Sequence, residues 1–210
     1  MSHFDILNIK LDRSSNPLVV CWAAANDPAK LHVFTHYSEW NDFILRLSLN
    51  SQVPQTVKVK YERAQTLYLL AWVYDGVIKA VELAAFAALE LALKDVYFND
   101  YIANEKIKNP NFDSKRVASF LSPGLGYMIR SDKLTDEKLP IFHKSGRSVI
   151  ENLCSEKGKK SISGNMNQTL VSIRNSLAHG DPFDSLPWGS LLEIVRDLID
   201  YMYRNYPKYS

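Results

Sequence analysis

The chain has 210 residues, of which 46% are hydrophobic and 23% are charged, and its net charge is +2. This composition is typical of a folded globular protein and excludes a disordered or collagen-like chain. Residues 101–165 hold twelve Lys and Arg against seven Asp and Glu, a local charge of +5 that permits a polyanionic partner without requiring one.

Residues 1–53 are predicted to form a small α/β unit. Three stretches have the pattern of β-strands: residues 4–11, 18–22 and 31–34. Residues 36–49 place Trp40, Ile44 and Leu47 at helical spacing, which predicts one helix. The chain does not begin with a basic region followed by an apolar core, so we expect no secretory signal.

Residues 54–210 are predicted to form a helical domain. Its first helix is expected to run from about residue 57 to residue 99, with a kink near Gly76. Charged residues interrupt the apolar stretch at 77–93, which favours the core of a helical bundle over a membrane span. A helix so apolar also suggests a dimer interface, because a single small bundle rarely encloses it completely.

Polar residues on this helix fall within one narrow stripe: Asp75, Lys79, Glu82 and Glu90. One interpretation is a wall of a substrate-binding cleft, with Glu82 as the favoured residue. The other is a solvated face with intrahelical pairs such as Glu90–Lys94. The sequence leaves both open.

Shorter helices are predicted at residues 114–121, 125–131 and 148–155. The next helix is capped by Asn165 and ends at Gly180, with an apolar stripe that includes Leu170 and Ile173. A last amphipathic helix is predicted at residues 188–203.

The helix that follows Asn165 has a second, polar stripe: Gln168, Ser172, Asn175 and His179. Arg174 flanks this stripe. Asn175 precedes His179 by one turn, so its amide could hydrogen-bond the imidazole. Arg174 and His179 are about 140° apart on an ideal helix, so their side chains could reach one common site only through the long arginine stem.

The run Arg174-Asn175-Ser176-Leu177-Ala178-His179 resembles the Arg, four residues, His motif of HEPN domains, in which Asn commonly follows the Arg. Two further features are similar to prokaryotic members: an Ala-Leu-Glu-Leu-Ala-Leu-Lys run at 88–94 in a long early helix, and an amphipathic helix after the motif. The resemblance covers roughly residues 57–205. It implies a HEPN-like helical bundle, so the fold class expected for the whole chain is mainly α, a HEPN-like helical bundle with a small N-terminal α/β extension.

Active members of this family are metal-independent endoribonucleases that work as dimers, and the two motifs meet across the interface in one composite site. The resemblance therefore implies RNA cleavage to 2′,3′-cyclic phosphate ends by a homodimer without a cofactor, in a toxin or phage-defence effector. It assigns Arg174, Asn175 and His179 to catalysis and Ser176 to a substrate contact. Imidazole suits either proton-transfer role, and guanidinium suits binding of the phosphate.

Two other interpretations stay open. The family includes inactive members that bind RNA or proteins, so the chain could be a non-catalytic dimeric module. Alternatively, Arg174, Asn175 and His179 could have a structural role, in which their N–H groups hydrogen-bond to carbonyl oxygens at the ends of helices.

An antitoxin or regulatory protein is a further partner that the resemblance implies. Toxins of this family that pair with a nucleotidyltransferase antitoxin often carry Tyr two residues after the motif His. Asp181 stands there in this chain, which weakens a pairing with such an antitoxin and leaves a stand-alone defence or toxin nuclease open.

The basic loop containing Lys157, Lys159 and Lys160 precedes the motif helix and could attract RNA, although a solvated loop is an equal interpretation. The two cysteines, Cys21 and Cys154, have neither disulfide-framework nor metal-ligand spacing. We therefore expect no metal site, and a reducing, cytoplasmic location.

Overall fold

The structure is a computed structural model that describes residues 12–114, 117, 119–154, 169–179 and 189–206. These residues are mainly helical, with one small antiparallel sheet near the N-terminus. The predicted mainly α class with a small N-terminal α/β portion is thus confirmed. The strand predicted at residues 4–11 and the helix start predicted at Asn165 lie outside the described residues.

The N-terminal portion is a hairpin followed by a helix. Strand β1 (Leu18–Ala24) pairs antiparallel with strand β2 (Asp27–Phe34), and Leu18 lies opposite Phe34. Helix α1 (Tyr37–Leu45) buries Trp40 and Ile44, as their spacing predicted. Asp27 begins β2, so the chain reverses within Ala24–Asp27.

The single helix predicted at residues 57–99 is wrong, because the structure has two helices there. Helix α2 (Gln55–Leu70) and helix α3 (Ile78–Lys108) fold back on each other around a short turn that includes Gly76. A Cβ on Gly76 would lie 2.6 Å from Cζ of Tyr74, so only glycine allows this ring so close to the backbone. In the sequence, apolar residues keep helical spacing through the turn, because α2 and α3 are both partly apolar and pack against each other.

Helix α3 is the centre of the bundle and contacts α2 and three later helices: α4 (Leu121–Arg130), α6 (Leu170–His179) and α7 (Leu191–Met202). Side chains such as Val81, Leu89 and Leu93 are fully buried. Helix α3 therefore forms the bundle core, as predicted. Among the described helices, none is long and apolar enough to cross a membrane.

The region between α3 and α6 differs most from the prediction. Residues 117, 119 and 120 are not helical, and α4 begins at Leu121. Just before this helix, the backbone N–H of Phe120 donates to the Glu90 side chain instead of to a helical carbonyl oxygen. Helix α5 (Pro140–Ser145) was not predicted, since six residues are too few to establish a period. The helix predicted at 148–155 corresponds to a π-helical turn at Ile150–Cys154.

Buried hydrogen bonds join the N-terminal portion, both the hairpin and α1, to the later helices. The Trp22 indole N–H donates to Glu193 of α7 at 2.7 Å, and Lys144 of α5 donates to the same carboxylate at 2.8 Å. The Trp40 indole donates to the carbonyl oxygen of Tyr68 on α2 at 2.9 Å. The boundary predicted at residue 53 stays a prediction, but buried contacts cross it.

Candidate functional site

Helix α6 carries the motif, and its apolar side fixes which residues reach the surface. Leu170 and Ile173 are buried at 0% and 3% exposure against the bundle, where α6 contacts α3. Burial of this side turns the opposite side of α6 to solvent, and the exposed residues are Ser172, Asn175, Ala178 and His179. The predicted polar stripe is therefore on the surface, apart from Gln168, which lies outside the described residues.

Arg174 lies beside the buried side of α6 and reaches toward α3. Its Nη2 donates to Glu90 Oε2 and to Ser119 Oγ, each at 3.4 Å, and its Nη1 donates to Asn175 Oδ1 at 3.0 Å. The side chain keeps 27% of its surface exposed. Because two of these contacts are long and a guanidinium has five N–H groups, Arg174 retains capacity to bind an anion.

Glu90 is the residue of α3 that holds this arginine. Its carboxylate also accepts the Phe120 backbone N–H at 2.9 Å and pairs with Lys94 at 3.4 Å, the intrahelical pair proposed from the sequence. Burial opposes ionisation of Glu90, but the Phe120 hydrogen bond and the charges of Lys94 and Arg174 outweigh it, so its pKa lies below the ordinary value. The Glu90 carboxylate thus faces two cations, Lys94 and Arg174, and this cluster of three side chains has a net positive charge.

His179 is the last residue of α6 and is exposed. In the described part of the chain, Asn175 accepts from Arg174 and makes no hydrogen bond to His179. Asn175 therefore orients the guanidinium rather than the imidazole. Ser176 is half-buried on the same helix.

Glu82, another predicted site residue, is not brought to this cluster. Glu82 is fully buried about two turns before Glu90 on α3, near Tyr68, whose pKa is raised by burial and by the Glu82 charge. Lys157, Lys159 and Lys160 lie outside the described residues.

Sequence reasoning placed Glu90 only in the polar stripe, as one of four residues that could line a cleft, and gave Ser119 no part in the site. Glu90 carried a usable signal, since it was in the predicted polar stripe and in the 88–94 run that contributed to the resemblance. Ser119 carried none, because its place beside Arg174 depends on the non-helical chain before α4.

The chemistry of the cluster is that of an anion site with a nearby proton carrier. Within the described ranges, no group of three or more His, Cys, Asp or Glu side chains could hold a metal ion. Arg174 supplies fixed positive charge and parallel N–H donors, which suit a phosphodiester. His179 supplies an imidazole, the side chain that most often serves as a general acid or base in catalysis.

Comparisons of this chain with protein-family models, curated proteins and solved structures found no match.

Replacing Glu90 with glutamine is expected to destabilise the protein by about 1 kcal/mol at pH 7, because Arg174 and Lys94 lose their shared carboxylate. The pKa of Glu90 is lowered in the folded protein, so its contribution to stability is present above the ordinary pKa of 4.5 and is lost as pH falls through the folded pKa. Urea unfolding of wild type and Glu90→Gln from pH 7 to pH 3 should therefore give free energies that converge in acid.

The matched control is Glu105→Gln, which removes an exposed pair with Lys108 on the same helix. We expect its free energy of unfolding to stay close to that of wild type at pH 7. An effect of Glu105→Gln as large as that of Glu90→Gln would contradict a specific role for the Arg174 contact.

Proposed function

We propose that this protein is a HEPN-type, metal-independent endoribonuclease that acts as a homodimer in the reducing cytoplasm. In the family it resembles, this activity serves toxins and phage-defence effectors, and we propose the same class of role here. The observation that carries the proposal is the surface of α6, where Arg174 is held by Glu90 and His179 is exposed at the helix end.

The proposed reaction uses the 2′-hydroxyl of the RNA as the nucleophile. Its oxygen bonds to the phosphorus and its proton passes to one imidazole, while the bond from phosphorus to the 5′-oxygen breaks. A second imidazole, in imidazolium form, gives a proton to the leaving 5′-oxygen. The products are a 2′,3′-cyclic phosphate and a 5′-hydroxyl. Arg174 stabilises the negative charge that accumulates on the phosphorane.

A single α6 offers one histidine, so this mechanism needs a second copy of the chain. The surface of α3 beside the motif fits such a copy, because an apolar strip of exposed and half-buried residues runs along three turns of the helix. We call it the α3 strip, and its residues are Ala80, Leu83, Ala84, Ala87 and Leu91. Leu83 is 38% exposed, and Glu90, which holds Arg174, borders the strip one turn after Ala87.

The size of the α3 strip argues that α6 joins the same interface. Small alanine side chains let two helices approach closely, and a two-fold axis would set the strip against itself. Three turns of one helix bury much less than the roughly 800 Å² per partner of a standard interface. The exposed side of α6, with Asn175 and His179, is the adjoining surface that would complete it. Two motifs would then face each other.

The test is to incubate purified protein with cellular RNA in the presence of EDTA and to compare wild type with Arg174→Ala. We expect cleavage by wild type alone, with 2′,3′-cyclic phosphate ends on the products. Folded, dimeric wild type that leaves every RNA intact would oppose the proposal. Cleavage that EDTA abolishes would point to a metal-dependent enzyme instead.

One observation favours a second candidate, a non-catalytic dimeric module that binds RNA or a protein partner. Arg174 already donates to Glu90, Ser119 and Asn175 within the chain, as a structural arginine would. The two candidates differ in one measurement: the module would bind RNA without cutting it, and binding would survive loss of His179.

A further inference from the structure

Three partly exposed aromatic side chains cluster on and beside α3, next to the Arg174 site. Phe98 and Tyr101 lie one turn apart on α3, and their ring centroids are 5.1 and 5.3 Å from that of Phe120. Phe112, in the chain that follows α3, contacts Tyr101 with a centroid distance of 6.4 Å. Phe120 is fully buried, whereas the other three rings are half-buried. We call Phe98, Tyr101 and Phe112 the aromatic face.

Two adjacent residues connect the aromatic face to the Arg174 site. The Phe120 ring packs against the aromatic face, and the Phe120 backbone N–H donates to Glu90 at 2.9 Å. Ser119 Oγ accepts from Arg174 at 3.4 Å. Because Ser119 and Phe120 are neighbours in the chain, the guanidinium and the aromatic rings lie on the same stretch of surface. A ligand bound at Arg174 can therefore continue onto the aromatic face.

Helix α3 sets the direction and the length of this surface. One side of the helix carries, at intervals of four, four and three residues, Glu90, Lys94, Phe98 and Tyr101. At about 1.5 Å per residue, Tyr101 lies about 16 Å beyond Glu90 along the helix. A stacked nucleic-acid strand advances about 3.4 Å per nucleotide, and an extended strand advances more. About five nucleotides or fewer would therefore reach from the Arg174 site to the aromatic face.

Cations border the aromatic face, although the charge balance around it is nearly even. The side chains of Lys94 and Lys108 are 45% and 70% exposed. Burial raises the pKa of the Tyr101 hydroxyl, and the nearby charges of Lys108 and Arg130 oppose that rise. Each lysine also pairs with a carboxylate of α3, and Asp113 adds a further negative charge. Ring stacking, more than net charge, would therefore supply the affinity of this surface for a nucleic-acid strand.

We propose that the aromatic face is a base-stacking subsite for single-stranded RNA, in which a base near the scissile phosphate packs on Tyr101 beside Phe112. The subsite rests on the proposed function, because it extends the Arg174 site along α3. Aromatic side chains hold unpaired bases by stacking, and the bases of a duplex are not available for such a contact. The protein should therefore bind single-stranded RNA more tightly than a duplex of the same sequence.

Substitutions at Tyr101 test the subsite through RNA binding, without any assay of cleavage. The probe is a single-stranded RNA of about ten nucleotides with 2-aminopurine at each position in turn, a base whose fluorescence falls when it stacks. Tyr101→Leu keeps an apolar side chain without a ring, and Tyr101→Phe, which keeps the ring, is the matched control. Both are made in a His179→Ala parent, so that the RNA stays intact. We expect Tyr101→Leu to weaken binding by roughly 5- to 150-fold and to restore the fluorescence, and Tyr101→Phe to bind as the parent does.

Phe112→Leu repeats the measurement at a residue outside any helix, and circular dichroism checks that each variant is folded. Equal RNA affinity of these variants and their parent would overturn the subsite and leave the proposed cleavage untouched. A lowered melting temperature with unchanged RNA affinity would do the same, because the rings would then only pack the chain after α3 onto the helix. Equal binding of duplex RNA would also overturn it. Base stacking by a wild type that cuts no RNA would leave the subsite standing and contradict only the nuclease.

Discussion

Alanine at position 179 is expected to reduce RNA cleavage by about 10²–10⁴-fold, the usual contribution of a general acid or base. The expected change in melting temperature is small, because His179 is exposed at the end of α6 and its removal buries no unpaired group. Initial rates on an RNA that wild type cuts, together with thermal unfolding of both proteins, measure the two effects separately.

The control for this substitution is His143→Ala. His143 is also exposed, and its ring bonds to the Glu137 carbonyl oxygen on a different part of the surface. Cleavage by His143→Ala should match that of wild type. If His179 instead ties helix ends together, His179→Ala would lower stability by roughly 1–3 kcal/mol, and any loss of activity would follow the loss of fold. That outcome would remove His179 from the catalytic machinery.

Charge introduced into the α3 strip is expected to separate the dimer and to abolish cleavage together. In Leu83→Glu or Ala87→Glu, a two-fold interface would bring each new carboxylate near its copy, at a cost of several kcal/mol. Since each 1.4 kcal/mol is tenfold in affinity, the dimer should dissociate at least about 100-fold more readily. Glutamate favours helix and both positions are exposed, so the fold should persist.

Light scattering coupled to size-exclusion chromatography gives the oligomeric state, and circular dichroism checks the fold. Ile107→Glu is the matched control, because it places the same charge on an exposed residue of the same helix away from the α3 strip. A dimer that survives both strip variants with full activity would place the interface elsewhere. Monomers that still cut RNA would contradict the composite site.

These experiments separate the enzyme from the binding module. If the protein is an enzyme, His179→Ala changes its chemistry; if it is a binding module, there is no chemistry to change. The α3 strip variants separate the dimer of either candidate. A nuclease would therefore lose cleavage in either set of variants. A binding module would show no cleavage at all, and the strip variants would affect only its assembly.

Much of the fold followed from local pattern. The spacing of Trp40 and Ile44 indicated α1, and the apolar run of α3 indicated a helix enclosed by a bundle, because burial of a helix face repeats with the helical period. The motif helix and its end after His179 were also readable, since Gly180 follows there. Where local signals were weak, as in the six residues of α5, the sequence alone was not enough.

The tertiary structure decided what the pattern could not. The break between α2 and α3 depends on the two helices packing on each other, and a helical period carries no information about where the chain reverses. The partners of Arg174 also depend on how the helices pack. Glu90 and Ser119 are 84 and 55 residues away in sequence, and only the position of α6 on α3 brings them to Arg174. A mainly helical protein with Arg174 and His179 on one helix could be predicted from the amino-acid sequence alone. The structure determined that Arg174 faces a carboxylate of the core helix while His179 faces solvent, because burial of Leu170 and Ile173 sets the rotation of that helix.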